Sequence, residues 1–581
     1  MALVWALVCL LKPEWWELPP GAVPDEDVRA LEETVSCLQL RPVELNRARV
    51  DELLDIPWLN PVLAHRVAAY RDSAHGFQSI GELRRVGGMT DEWFRALAPL
   101  LTTQQAGPGW SGDVALRAGI DSVGSRPERL RTFGRARVKQ GQWTGAALVE
   151  HDPGEAGIVD WSGLGLGWQG RSVSVVGGDF TFGSGLGLVF SGPHRRAGSA
   201  FGEDVKGPGN LRLLSSALET RALRGLGADI QVPGWTLTVL GSHSGQDAKL
   251  NPDGTVERLR GDGVYDDSAS KAERNTVNQT AAGASVTRLW RGVAVTGNGA
   301  FVRYSREFAP GDSADSFSGR ALGCGGVSAE LRTEDYRLGL EGAASSGGGA
   351  AGALDLAGEW SGLSAGLGLH GYQTRYFAPL GRTRSLVDRE PRLYGRARLG
   401  LRAAGFRVWL RGNTYRDFSD DSLPARVELS ARQELGRLSL GCNLGRSYKL
   451  EQPRSRDSRL SLSWDIGRLG IEAVVGDEYP ELTAGRGRMA GLLLRADLQP
   501  VRLGFSAARF DILGSGVRMS MREPDLSRAG SGFSTGVSAW RLATGLSLGI
   551  VQRVAVSAKA GATWREAFVL DAAGQVELAL N

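Results

Sequence analysis

"VELSARQELGRLSLGCNLG", Val427 to Gly445, decides how most of this chain folds. Val427, Leu429 and Ala431 alternate with Glu428, Ser430 and Arg432. After Gly436-Arg437, Leu438, Leu440, Cys442 and Leu444 alternate with Ser439, Gly441 and Asn443. A period of two places one residue set on each face of a strand, so the stretch reads as a hairpin with one apolar and one polar face. The same pattern runs through Leu393–Leu401 and Leu460–Ile466, and "IGRLG" (466–470) repeats the short turn of "LGRLS" (435–439).

These alternating segments approach ten residues, whereas strands of soluble domains average about 5–6. Very short turns join them at one end. At the other end, long polar excursions are read at 193–215, 246–279, 306–320, 376–392, 449–458 and 513–531. Long alternating strands with two loop lengths are the signature of a transmembrane β-barrel. Lipid offers no hydrogen bonds to an open sheet edge, so the sheet must close. A secreted multi-sheet protein or β-helix fits less well, because no short repeat is present. About 470 residues at ~20 per strand and connection give 20–26 strands, with 24 as the best count. An even number returns both ends of the barrel to the periplasmic side.

Composition agrees. Glycine supplies 81 of 581 residues, well above the usual share of about 7%, without a three-residue period. Charged residues are 23% and hydrophobic residues 42%, too apolar for disorder and too polar for a bundle of membrane helices. The net charge of +4 implies no nucleic-acid partner by itself. Cys9, Cys37, Cys324 and Cys442 form no CxxC, and the six histidines do not cluster, so no metal or other cofactor is expected. "GSGLG" (183–187) lacks the Lys-Ser/Thr of a phosphate loop. No Ser/His/Asp set or other catalytic constellation can be assigned, and the chain is not expected to be an enzyme.

The N-terminus differs. "ALVWALVCLL", Ala2 to Leu11, is too short to span a bilayer and suits a secretory leader, placed at 1–23. Residues 24–103 switch to helical spacing, with a candidate core of Leu53, Leu54, Ile56, Leu63, Val67, Tyr70, Phe77, Leu83, Val86, Phe94, Leu97 and Leu100. A Gly/Pro/Gln linker (104–112) precedes the barrel (113–581). The fold class expected is thus mainly β: a large barrel behind a small all-α domain.

Within the α domain, "LNRARVDELLDIPWL" (45–59), "LAHRVAAYRDSAHGFQSIGELRRVGGM" (63–89) and "LAPLL" (97–101) resemble the helix-hairpin-helix domain of competence DNA receptors of the ComEA type. In DNA-binding members of that family, a Gly-hydrophobic-Gly hairpin lets backbone amides approach a phosphate. Here the first hairpin has Trp58 and Asn60 at the glycine positions, and Pro61 removes an amide. The second keeps Gly88 before Met89 but has Thr90 in place of the other glycine. From Glu44 to Thr103 there are seven arginines and no lysine against eight acids, a poor balance for phosphate binding. The nucleic-acid contacts the resemblance implies are Arg84, Arg85, Gly87, Gly88, Met89 and Thr90. Trp58, Leu59 and Asn60 are the candidate contacts for a protein partner.

"VGGDFTFGSGLGLVFSGP" (176–193) and "GPGNLRLLSSALETRALRGLGADI" (207–230) resemble Bacteroidota-type outer-membrane proteins that fuse such a domain to a large barrel. The resemblance implies architecture and location, with no established substrate. Glu219, Arg221 and Arg224 are candidates for an ion network inside the lumen that holds 193–215 as a plug. The expected function is a non-enzymatic outer-membrane barrel, bathed by membrane lipid, whose periplasmic helix-hairpin-helix domain docks a protein or gates transport, secretion or envelope organisation. The alternative is DNA uptake, with the α domain as receptor.

Overall fold

The computed structural model describes the chain between residues 42 and 580, apart from intervening stretches of which 193–209, 261–270, 382–391 and 523–531 are among the longest. The expected leader (1–23) and residues 24–41 lie outside the described residues.

The N-terminal module closes on itself through a short parallel pairing of Val43–Glu44 with Leu101–Thr102. Its helix, Pro61–Ser73, begins on a proline, whose fixed φ suits a first helical position and whose missing N–H is not needed there. It ends as the Ala74 N–H donates to Tyr70 O and the Gly76 N–H to Arg71 O, with His75 and Gly76 both left-handed. Asn46 then fixes the exit. Its Nδ2 donates to Phe77 O at 3.0 Å, and its Oδ1 accepts the Phe77 N–H at 2.6 Å. Leu45, Leu53, Ile56, Leu59, Leu63, Val67, Phe77, Leu83, Val86, Leu97 and Leu100 make one buried cluster, with Tyr70 and Phe94 packed against it. That is the core expected from helical spacing, except that Leu54 lies outside the described residues. Ile80–Arg85 is a tighter 3-10 segment.

Among the described residues, twenty-four antiparallel strands close a barrel. Each pairs with its neighbour in sequence, and the first, Ser111–Asp121, pairs with the last, Phe568–Leu580, from Gly112↔Leu580 to Asp121↔Asp571. The spanning strands run from nine residues (Trp143–His151) to sixteen (Val293–Phe308). One rim has two-residue turns such as Pro233-Gly234 and Gly467-Arg468, whose glycines take positive φ. The start of the first strand and the end of the last meet at this rim.

The outer face of the barrel is apolar. Leu164, Leu226, Val286, Val327, Leu340, Leu399, Leu429, Leu444, Leu462 and Leu503 are all exposed. Such a surface suits lipid and would be a liability in water. Trp143, Trp235, Trp290, Tyr336, Trp360 and Trp464 are exposed within three residues of the short turns. Toward the opposite rim, exposed Trp540 stands across from exposed Trp564. Aromatic side chains collect at the two membrane–water interfaces because one end of each is apolar and the other polar.

Two expectations need correction. Residues 449–458 are no loop: a strand runs through Gln452–Ile466, paired from Lys449↔Gln452 to Leu438↔Trp464. Arg456 and Ser458 stand on its outer face where leucines stand nearer the short turn, so the apolar alternation disappears. The excursions at 246–279 and 513–531 are partly folded, holding the hairpin Ala248–Leu250/Val256–Leu259 and the strand Met519–Arg522, which pairs with Gly532–Thr535.

Candidate functional site

The lumen is where polar side chains meet. It is divided by chain that folds inward. The strand Val173–Gly183 bends at Gly178 (φ +94), where a Cβ would lie 2.0 Å from Leu164 O, so only glycine permits the approach. Beyond the bend Phe180 and Phe182 are buried, and residues 184–192 turn back along the inner wall. The Ser184 Oγ lies 3.1 Å from Ser285 Oγ, the Leu186 N–H donates to Glu341 Oε2 at 2.5 Å, and Tyr376 OH donates to Leu188 O at 3.0 Å. Ser285 and Glu341 alternate with lipid-facing Val286 and Leu340, which places this segment inside the barrel.

Leu186, Leu188, Val189 and Phe190 bury there among Leu240, Val302, Tyr304, Phe308, Phe317, Tyr376 and Phe377. Rings continue the cluster: Phe308–Phe317 centroids are 5.5 Å apart and Phe317–Phe377 5.8 Å. A second inward fold, Met519–Arg522 with Gly532–Thr535, packs Met519 and Met521 against Met489, Leu493 and Phe510.

Between these inserts, on strands from Arg392 to Ile466, the inner wall is basic. Arg396, Arg398, Arg411, Arg426, Arg432 and Arg459 alternate with lipid-facing leucines and valines. The described acids on the same faces are Glu428 and Asp457, both engaged. Arg426 Nη2 lies 2.9 Å from Asp457 Oδ1, and Asn443 Nδ2 donates to Glu428 Oε1 at 2.6 Å. Elsewhere on the inner wall ion pairs join Asp113 with Arg137 at 2.9 Å and with Arg135 at 3.5 Å, and Arg541 with Asp571.

Arg224 does not reach the lumen. It shares the outer face with exposed Leu226 and Ile230, and its Nε donates to Asp179 Oδ1 at 2.8 Å. Asp179 also accepts the Leu164 N–H, occupying an amide freed by the bend. Glu219 and Arg221 lie outside the described residues. Of the segment 193–215, residues 210–214 are described; Leu211 and Leu213 pack against the inner cluster.

In the α module, Leu59 is buried in the core at 5% exposure and offers no contact surface. Trp58, Asn60, Gly88 and Thr90 lie outside the described residues. The Arg84 guanidinium stacks on the Phe94 ring at 3.6 Å, Arg85 is exposed, and the Gly87 carbonyl accepts Arg66 Nη1 at 3.0 Å. Met89 is half-buried against the core. No described group of three His, Cys, Asp or Glu side chains could hold a metal ion. Sequence reading missed the insert 184–192. Its signal was present: "FGSGLGLVF" is apolar or small on both faces, unlike a strand with one face to lipid and one to water.

Residues 39–102 match the family model of the helix-hairpin-helix motif. No curated protein matches the chain. Among solved structures, the chain is similar to the translocation pore of the P pilus usher PapC, at 11% identity and a TM-score of 0.43, over 81% of this chain and all of that one. It is also similar to the siderophore receptor PirA from Acinetobacter baumannii, at 8% identity and a TM-score of 0.41, over 82% of this chain and 81% of that one. A third is an E. coli P pilus tip assembly intermediate, at 10% identity and a TM-score of 0.45, over 81% and 60%.

Proposed function

We propose that this protein is a non-enzymatic outer-membrane passage that favours anionic cargo. In this reading the short-turn rim and the helix-hairpin-helix module face the periplasm, where the module docks a protein partner. The observation that carries it is the two-sided lumen: an apolar cluster around residues 184–192, and a wall on which the described residues include six arginines and two acids. Like charges on neighbouring strands cost stability, and an anion passing the wall relieves that cost. The test is reconstitution of the full chain in planar bilayers. Current steps with anion-over-cation selectivity are expected. A protein that conducts no ions, or prefers cations, overturns the reading.

DNA uptake is the second reading, favoured by the helix-hairpin-helix match together with the arginine wall. It predicts that the full chain retains labelled duplex at physiological salt, and that Arg85→Ala weakens retention. Docking of a protein predicts instead the capture of a periplasmic protein, lost when residues 39–102 are removed.

A further inference from the structure

The outer face of the barrel carries a basic groove that is not part of the lumen. On strands from Leu438 to Leu513, cross-strand rows can be followed from the membrane outward. One row of lipid-facing positions runs Cys442, Leu460, Val475, Ala490, Arg509 and Trp540. Trp540 and Trp564 mark the interface, so the Arg509–Trp540 end of this row stands at the edge of the hydrocarbon, while its Cys442 end lies nearer the short turns. The next row toward the long-loop rim is Leu444, Ser458, Asp477, Arg488 and Asp511. The row above it holds Arg446, Arg456 and Tyr479, with Arg486 against the Tyr479 ring. Leucine gives way to arginine within two rows, where lipid headgroups would sit.

A groove of about 560 Å³ follows this boundary. Leu444, Leu460, Val475 and Ala490 form its apolar floor, and Ser458, Tyr479, Arg488 and Arg509 stand at its polar end. The Tyr479 ring lies between two guanidinium groups, Arg456 at 5.1 Å and Arg486 at 5.3 Å. Of the two carboxylates present, Asp511 is held by Arg509 Nε at 2.9 Å and Asp477 by the Ser458 hydroxyl. Four arginines around two committed acids leave a net positive field at the head of an apolar trough.

We propose that this groove binds a phosphorylated acyl lipid of the leaflet at the long-loop rim, its phosphate at Arg488 and Arg509 and one acyl chain along Leu444 and Val475. Guanidinium forks match phosphate oxygens, and the apolar floor matches a chain that is already in the membrane. The proposal rests on the membrane-spanning reading of the barrel, but Arg488 and Arg509 lie on the opposite face of the sheet from the arginine wall.

The experiment is native mass spectrometry of the detergent-purified full chain, titrated with diphosphorylated lipid A, its dephosphorylated form, or phosphatidylethanolamine. Selective retention of the diphosphorylated lipid is expected, with at least tenfold weaker binding in R488Q/R509Q. Asp477→Asn/Asp511→Asn, which removes the competing carboxylates, should bind more tightly. It keeps the proposal testable if the arginine variant misfolds. Equal binding of the dephosphorylated lipid, full retention by R488Q/R509Q, or no gain in the aspartate variant overturns it. Ion selectivity should not change in R488Q/R509Q, so failure of this site and failure of the lumen reading are distinguishable.

Discussion

Arg398 and Arg411 face each other across adjacent antiparallel strands of the inner wall, like charge opposite like charge. On its other side Arg411 faces Glu428. Directly opposed like charges are unfavourable, by up to about 1 kcal/mol where cross-strand pairs have been compared. Replacing Arg398 by glutamine should therefore leave the barrel as stable or slightly more so. It should also lower the preference for anions, seen as a shift in reversal potential under a KCl gradient. Loss of barrel stability with unchanged selectivity would mean that this arginine serves the wall and not the passage.

The insert at 184–192 depends on Gly185. Its φ is +57, and a Cβ there would lie 2.8 Å from Ser328 Oγ and 2.9 Å from Glu341 Oε2. Gly185→Val combines backbone strain with a clash against the inner wall, so the segment should leave its seat while the strands stay closed. Single-channel conductance should rise severalfold. Glu341→Leu tests the same seat from the other side. It strands the buried Leu186 N–H, at a cost of about 1–3 kcal/mol, and should also raise conductance. A conductance equal to wild type in both variants would show that the insert does not obstruct the path.

A pH effect is expected at the turn before Val256. The Thr255 hydroxyl, followed by its amide, donates to Asp253 Oδ1 at 2.6 and 2.9 Å, and these bonds hold the exposed Asp253 carboxyl below its ordinary value. A depressed carboxyl contributes stability above its ordinary value and loses it as pH falls through the depressed one. Acidification should thus loosen this turn, seen as a lower protection factor of the Thr255 amide against exchange. Thr255→Val, which loses the hydroxyl bond and keeps the amide one, should lower that protection already at neutral pH; protection indifferent to both changes would contradict the assignment.

Periodicity carried the barrel. Leu435 pairs with Leu438 around Gly436-Arg437, as the alternation on either side requires. The same signal failed where the environment changed. Between Gln452 and Ser458 both faces of the strand are polar, so nothing in the pattern separates strand from loop. Arg224 could have been placed correctly, since it shares parity with the outward Leu226 and Ile230. The insert is harder. Leu186 meets Glu341 across 155 residues of sequence, and no local rule reports such a contact. The arginine wall lies between: each arginine was legible as the polar face of a strand, but their convergence appears only when adjacent strands are set in register.

The helix-hairpin-helix module can be separated from the barrel by one residue. Asn46 spans the module, its amide binding both the N–H and the carbonyl of Phe77, and it sits against the left-handed Gly76. Asn46→Ala leaves both backbone groups without their partner, at a cost of about 1–3 kcal/mol in a unit whose buried core is small. The Arg71 Nη1 bond to Ala48 O at 2.5 Å ties the same two segments together. Limited proteolysis of the full chain should then cut within residues 43–102 while the barrel stays resistant. If the module docks a periplasmic protein, capture should fall with the same variant and ion conductance should not. If conductance changes instead, the module acts as a gate.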